Sequence, residues 1–203
     1  MRVAQELFYT KGYEDTSVND IIKMAGVSKG AFYHHFDSKL TILESISTQL
    51  MNEAVKDLEA IVADDLLAIA KWQKVVHLSH TWQMKKEPAV SEIGRILRSD
   101  KNVILHHKLN ASWLKVSTPE ITKIIIQGVF EGVFNVEYAS ETAVILVRLI
   151  DHLNEELDNL VTNTKEVDTL NMLITQKLAA AQSIVEHLLG APTGSIPMVE
   201  NQF

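Results

Sequence analysis

The 203-residue sequence predicts an all-α fold, and three observations carry that prediction. Apolar residues recur at spacings of three and four, as on one face of a helix, and the alternation expected of a strand persists nowhere. Val167, Leu170, Leu173, Ile174, Leu178, Ala181, Ile184, Val185 and Leu188 form a single long stripe of this kind. Helix start and stop signals punctuate the pattern at Ser17, Thr118-Pro119, Ser140 and Gly190.

Composition narrows the class. At 46% apolar content the chain can bury one sizeable core. It has no cysteine, which excludes disulfides, thiolate zinc sites and thiol redox sensing. The longest apolar stretches, 124–136 and 143–150, are interrupted by Gln127, Glu131 and Arg148, and the N-terminus "MRVAQELF" lacks the order of a signal peptide. A soluble, cytoplasmic protein is the expectation. A net charge of −7 argues against non-specific nucleic-acid binding through bulk charge, though not against a local site.

The first element with an informative pattern is Ser17–Ala25, "SVNDIIKMA". Val18, Ile21, Ile22 and Ala25 share one helical face, and Ser17 with Asp20 makes a capping-box-like start. The following "GVSKG", residues 26–30, fits the G-x-S-x-G pattern of a nucleophilic serine, but that motif needs a strand before it and here a helix precedes. The spacing instead predicts a helix-turn-helix. Gly26 takes the left-handed turn position, Val27 is buried between the two helices, and Ser28 caps the second one.

On that second helix Phe32 and Phe36 point inward, while Gly30 and His34 fall opposite. Lys29 and Tyr33 border the outer face on one side, Ala31 and His35 on the other, and Lys39 adds a cation at the start of the next helix. A surface without bulk at its centre and with hydrogen-bonding tips around it suits close approach to base-pair edges. The competing reading is an ordinary solvated helix.

Residues 4–44 contain A-x-x-L-F-x-x-x-G-Y, then T-S-V-x-x-I, then A-G-V-S-K-G-x-x-Y-x-H-F-x-S-K. This run resembles the N-terminal domain of the TetR family of bacterial transcriptional repressors and covers about a fifth of the chain. The resemblance implies that Ser17 caps the first helix of the motif and touches a phosphate. It further implies that Ser28, Lys29, Gly30 and Ala31 face bases or the adjoining backbone, and that Tyr33, His34 or His35, and Lys39 hold phosphates. Leu7, Phe8, Ile21, Ile22, Val27, Phe32 and Phe36 would be the small domain's core, and Gly12-Tyr13 the turn between its first two helices. Family members usually carry residues before "AQELF" that complete the first helix and add basic contacts. This chain starts three residues earlier, so a naturally short or shortened N-terminus is expected.

Over positions 1–48, Arg2, Lys11, Lys23, Lys29 and Lys39 stand against Glu6, Glu14, Asp15, Asp20, Asp37 and Glu44. With so few cations, about two to four phosphate contacts per subunit are expected, with moderate salt dependence.

Three segments follow: 1–48 as the helix-turn-helix DNA-binding domain, 49–190 as a helical effector-binding and dimerisation domain, and 191–203 as an extended tail after Gly190 and Pro192. Thr118 and Pro119 read as cap and first residue of one helix, and Ser140 as the start of another. One short recognition helix reads too few base pairs alone, so a homodimer on a palindromic DNA operator is expected. Residues 140–161 and 167–189 are the candidates for the pairing surface, with Leu149, Leu153, Leu157, Leu170, Ile174, Leu178, Ala181 and Val185 at the contact in a four-helix bundle. For the pocket of a partly apolar small-molecule effector, the candidates are Trp72, His77, His80, Trp82, Met84, Trp113, Phe130, Phe134 and Tyr138. Gly128 and Gly132 permit close packing or leave room for a ligand.

Two further functions compete. His77-x-x-His80 and His106-His107 raise a His-based metal-responsive regulator, and the helix-turn-helix shape alone admits a protein-binding adaptor without DNA binding. No enzyme is expected: G-x-x-x-x-G-K and H-E-x-x-H are absent, E-x-x-H too, and the serine motif is explained. Neither a cofactor nor a resident metal is expected.

Overall fold

A computed structural model describes residues 1–84 and 88–198, with the backbone alone for 79–84, 88–91 and 100. Among the described residues every regular element is helical: α1 (Arg2–Lys11), α2 (Val18–Ala25), α3 (Lys29–His35), α4 (Lys39–Ala63), α5 (Ala68–Met84), α6 (Pro88–Leu97), α7 (Val103–Phe130), α8 (Ala139–Asn163) and α9 (Val167–Leu189), with a 3-10 turn at Asp100–Asn102 before α7. The described helices include none long and apolar enough to cross a membrane.

The chain divides into two compact units, Met1–Ala54 with Thr81–Trp113, and Val55–His80 with Leu114–Phe203. The expected boundary near residue 48 falls inside α4. The first unit has one continuous core: Ala4 and Phe8 of α1, Ile21 of α2, Phe32 of α3, Ile42, Leu43 and Ile46 of α4, Ile93 and Ile96 of α6, and Leu105 of α7. The helix-turn-helix is thus completed by α6, which lies along α1, and by the first turn of α7. Leu7, Ile22 and Phe36 border this core, whereas Val27 does not join it and is 43% exposed.

In the second unit Trp72, Ile124, Ile125, Leu146, Val185 and Leu189 are fully enclosed. The corner between α4 and α5 is fastened from the end of α7 and the residue after it: Glu131 accepts the Ala68 N–H that opens α5, at 2.9 Å, and Gln127 donates to the Leu66 carbonyl at 2.8 Å. The buried Lys71 donates to the Val62 carbonyl at the end of α4, at 2.7 Å.

The start expected at Thr118-Pro119 is not one. α7 runs continuously from Val103 to Phe130 with Pro119 inside it. Pro119 has no N–H to give the Lys115 carbonyl, a loss normally worth about 3 kcal/mol in a helix interior. The burial of Ile121, Ile124 and Ile125 just beyond it holds the helix together.

α8 begins at Ala139, close to the Ser140 signal, and packs along α9 with Lys177 and Glu156 paired at 2.7 Å. Gly190 ends α9 in the left-handed conformation, φ 58° and ψ 29°. Residues 191–198, expected to be part of an extended tail, do not run out freely. They turn back so that Ile196 is fully buried, with its N–H 3.0 Å from the Glu186 carboxylate. Burial pushes the Glu186 pKa up, but backbone N–H groups of Ile196, Gly194 and Ser195 and the Gln182 amide outweigh it, leaving it below the usual value.

Candidate nucleic-acid interface

The geometry of α2 and α3 follows from three local devices. At the start of α2, Ser17 Oγ accepts the Asp20 N–H at 3.1 Å while the Asp20 carboxylate accepts the Ser17 N–H at 2.9 Å, a reciprocal capping box. The same carboxylate takes the Ser17 hydroxyl proton at 2.8 Å and the Lys11 ammonium at 2.7 Å, tying α1 to α2. With its hydroxyl proton used internally, Ser17 offers a ligand a lone pair rather than a donor. The Lys11 hydrogen bond, followed by those from the Ser17 backbone and side chain, holds the Asp20 pKa well below the usual carboxylate range.

At the turn, Gly26 is left-handed at φ 66°, its N–H donates to the Lys23 carbonyl, and the Val27 N–H donates to the Ile22 carbonyl at 3.3 Å. These paired bonds are a Schellman closure. They put Val27 at the elbow outside the helix pair, which is why it is exposed rather than enclosed. Ser28 Oγ then accepts the Ala31 N–H at 3.1 Å and starts α3.

α3 is anchored by Phe32, 5% exposed, with the Phe36 ring 6.0 Å away. The opposite face is open: Lys29, Gly30, Ala31, Tyr33, His34 and His35 are all exposed. A β-carbon built on Gly30 meets no atom within 4 Å, and its φ is not left-handed. Nothing inside the fold therefore requires glycine there. The Tyr33 ring leans edge-on against Phe32 at 5.3 Å and is 46% exposed. Lys39 behaves differently. Its ammonium donates to the Tyr13 and Glu14 carbonyls and lies 4.3 Å from the Tyr13 ring centre.

The effector candidates whose side chains are described differ widely in burial. Trp72 is fully buried, with its indole N–H unpartnered among the described residues. Phe134 is buried against Gly128, which removes the space a ligand would use there. Phe130 and Tyr138 are 92% and 64% exposed and lie on the surface of the chain. Trp113 and His77 are half-buried, and the side chains of His80, Trp82 and Met84 lie outside the described residues. A groove against α9, lined by Ala179, Gln182, Ser183, Glu186, His187, Ala191 and Thr193, contains none of the expected residues. Among the described residues no three His, Cys, Asp or Glu side chains converge as metal ligands. His106 instead lies 3.2 Å from the Asn110 amide.

The expected pairing stripe is divided by the structure. Ala181 and Val185 are buried within the chain and serve its own core, while Leu149, Leu153, Leu157, Leu170, Ile174 and Leu178 are half-buried. The apolar groups left outermost on α8 and α9 are Ile145, Val161, Val167, Met172 and Ile184. Of these, Val167 and Ile184 were visible in the sequence as part of the stripe. Their outward orientation was not.

Two capped helices joined at a left-handed glycine, the second with an open, bulk-free outer face, form a helix-turn-helix. Comparison with known proteins agrees and goes further. Residues 1–46 match the family of bacterial regulatory proteins of the tetR type, and residues 89–182 match the tetracyclin repressor-like C-terminal domain. The chain belongs to the TetR family of transcriptional regulators. It is 27% identical over 154 residues to the HTH-type transcriptional repressor KstR2 of Rhodococcus jostii, covering 72% of this chain and 75% of the relative. To the uncharacterized regulator YdgC of Bacillus subtilis it is 27% identical over 184 residues, 86% of this chain and 88% of that one. A TetR-family regulator from Pectobacterium atrosepticum has the same fold, with a TM-score of 0.70 at 21% identity over 94% of this chain and 92% of its own. So does FadR of Bacillus subtilis, solved with stearoyl-CoA, with a TM-score of 0.66 at 22% identity over 93% and 95%.

Proposed function

We propose that this TetR-family regulator is a cytoplasmic, homodimeric repressor that binds a palindromic DNA operator and is released by a small-molecule effector. The observation that carries the reading is the outer face of α3, where Gly30 is open to solvent with no internal need for glycine. A groove-entering helix needs that absence of bulk where it approaches base edges. Lys29, Ala31, Tyr33, His34 and His35 ring the same face and supply base and phosphate contacts, and Ser17 and Ser28 fix the two helices that present them.

A recognition helix of seven residues reads only a few base pairs. Two copies set about 34–36 Å apart read successive major grooves and give the specificity one copy lacks. The outer apolar groups of α8 and α9 support pairing through a four-helix bundle. An effector that binds one inter-subunit spacing more tightly than the other shifts the population between DNA-bound and released states, by no more than that difference in affinity. FadR, a relative in fold, was solved with stearoyl-CoA, an amphiphile, which supports a partly apolar molecule as the effector class.

The test is selection of duplexes from a random pool by the purified protein at two salt concentrations. Enrichment of a two-fold symmetric site is expected. Failure to enrich any sequence removes the DNA-binding reading and favours a protein-binding adaptor.

A further inference from the structure

Lys39 is the first residue of α4, and only three residues separate it from the end of the recognition helix. Its ammonium donates to the Tyr13 carbonyl and, at 3.2 Å, to the Glu14 carbonyl, both in the turn between α1 and α2. The Tyr13 ring lies beneath it at 4.3 Å and is itself held edge-on against Phe8 of the core at 4.9 Å. Lys101, in the 3-10 turn before α7, pairs with the Glu14 carboxylate at 3.1 Å. α4 is also started locally: Ser38 and Thr41 cap each other, with the Thr41 N–H 3.2 Å from Ser38 Oγ and the Ser38 N–H 3.1 Å from Thr41 Oγ1. Lys39 is therefore not needed to form the helix. What it adds is a fixed link between the start of α4 and the α1–α2 turn.

We propose that Lys39 is a positioning residue for operator binding, clamping the α1–α2 turn to the start of α4 and so fixing the exit of the recognition helix, rather than a phosphate ligand. The inference rests on the DNA-binding reading and deepens it. Two of the three ammonium hydrogens are committed to carbonyls. The charges that reach Lys39 are the carboxylates of Glu14 and Asp15, which attract the ammonium and would repel a phosphate, and the Lys101 ammonium, which opposes them and is itself paired with Glu14. Burial is the larger influence, drawing the Lys39 pKa below its ordinary value, as expected for a cation turned into the protein. Arg2, Lys23 and Lys29, by contrast, are exposed and carry no ion pair among the described residues.

Phosphate contact and positioning differ in salt dependence. Each phosphate neutralised contributes about −0.9 to the slope of log K against log salt, so a Lys39–phosphate contact in both subunits contributes about −1.8. The experiment measures binding of full-length wild type, Lys39→Met, Lys39→Gln and Lys39→Arg to the duplex selected by wild type, from 50 to 200 mM salt. Methionine keeps an apolar stem over the Tyr13 ring but donates nothing. Weakening of about tenfold at fixed salt is expected, the loss of a charge-assisted hydrogen bond, with the slope unchanged and arginine restoring most of the affinity. A slope shallower by about 1.8 in the Met variant overturns the proposal, as does unchanged affinity. Should the Met variant fail to fold, the neutral Gln variant gives the same slope reading. If wild type selects no duplex, the DNA-binding reading falls and takes this inference with it; if wild type binds and only the slope changes, this inference falls alone.

Discussion

The ring of Phe134 lies over Gly128, with Cδ2 2.0 Å from where a β-carbon on that glycine would stand. The Gly128 carbonyl also accepts the N–H groups of Val133 and Phe134, at 2.9 and 3.0 Å, closing the end of α7. Alanine in a helix is ordinarily preferred to glycine by about 0.5–1 kcal/mol. Here the ring must move aside, so Gly128→Ala should cost about 1–3 kcal/mol as an overpacked core does. Thermal melting is the check, and a melting temperature equal to or above wild type would show that the ring yields freely.

Gly30 is the converse case, a helical glycine with open space around it. Gly30→Glu should leave the melting temperature unchanged or slightly raised, because glutamate is the better helix former by a few tenths of a kcal/mol or more. It should nonetheless abolish operator binding through bulk and negative charge against the groove. Retained binding would mean that this face does not enter DNA. Tyr33→Ala should weaken binding to all duplexes alike, the mark of a phosphate contact, and selective loss on particular sequences would assign it to the bases.

Neighbouring positions on α9 separate pairing from folding. Ile184 is 47% exposed while Val185 is fully buried. Ile184→Asp should shift sedimentation toward monomer with helicity retained. Val185→Ala should keep the dimer and lose about 2 kcal/mol of stability through the cavity it leaves. A fully dimeric Ile184→Asp variant would move the pairing surface off this face.

Asp151, half-buried on α8, is pushed up to about 7, by burial first and the Glu155 carboxylate second, against the pull of Arg148. Its unfolded value is about 3.9, so between those values the folded chain holds a proton the unfolded chain has lost. Stability attributable to Asp151 is therefore complete below about pH 4 and falls as pH rises toward 7. Asp151→Asn should flatten that decline and stabilise the protein above pH 7 by about 1 kcal/mol or more, part of the ~1.4 kcal/mol per pKa unit being lost to solvent. Urea titrations at pH 4.5 and 8 measure it; an undiminished decline in the variant would place the titration on another group.

Legibility from sequence tracked how local each determinant is. Ser17, Gly26 and Ser28 could be placed from sequence because caps and left-handed turns are satisfied within three or four residues. Thr118-Pro119 carried an equally local start signal and misled, because tertiary burial of Ile121 and Ile124 outweighs one missing hydrogen bond. Ile93, Ile96 and Leu105 belong to the core around Phe8, yet no periodicity announces a partner so distant in the chain. The same limit applied to the pocket. Aromatic side chains declare that something is apolar, and only the fold separates Trp72, enclosed, from Phe130, at the surface. On α9 a stripe too wide for one contact was legible, but assigning Val185 inward and Ile184 outward required the fold.

The return of the chain onto Glu186 makes tolerance of length variation at this end one-sided. A reading frame that stopped after Gly190 would look complete on a helix diagram, since α9 is already finished there. It would also remove Ile196 from its seat and leave the buried Glu186 carboxylate without three of the N–H donors that offset its burial. Residues gained after Ile196 leave that lock intact, while those lost before it break it. Mutational drift in gene length should therefore be tolerated as extension and purged as truncation that reaches Ile196.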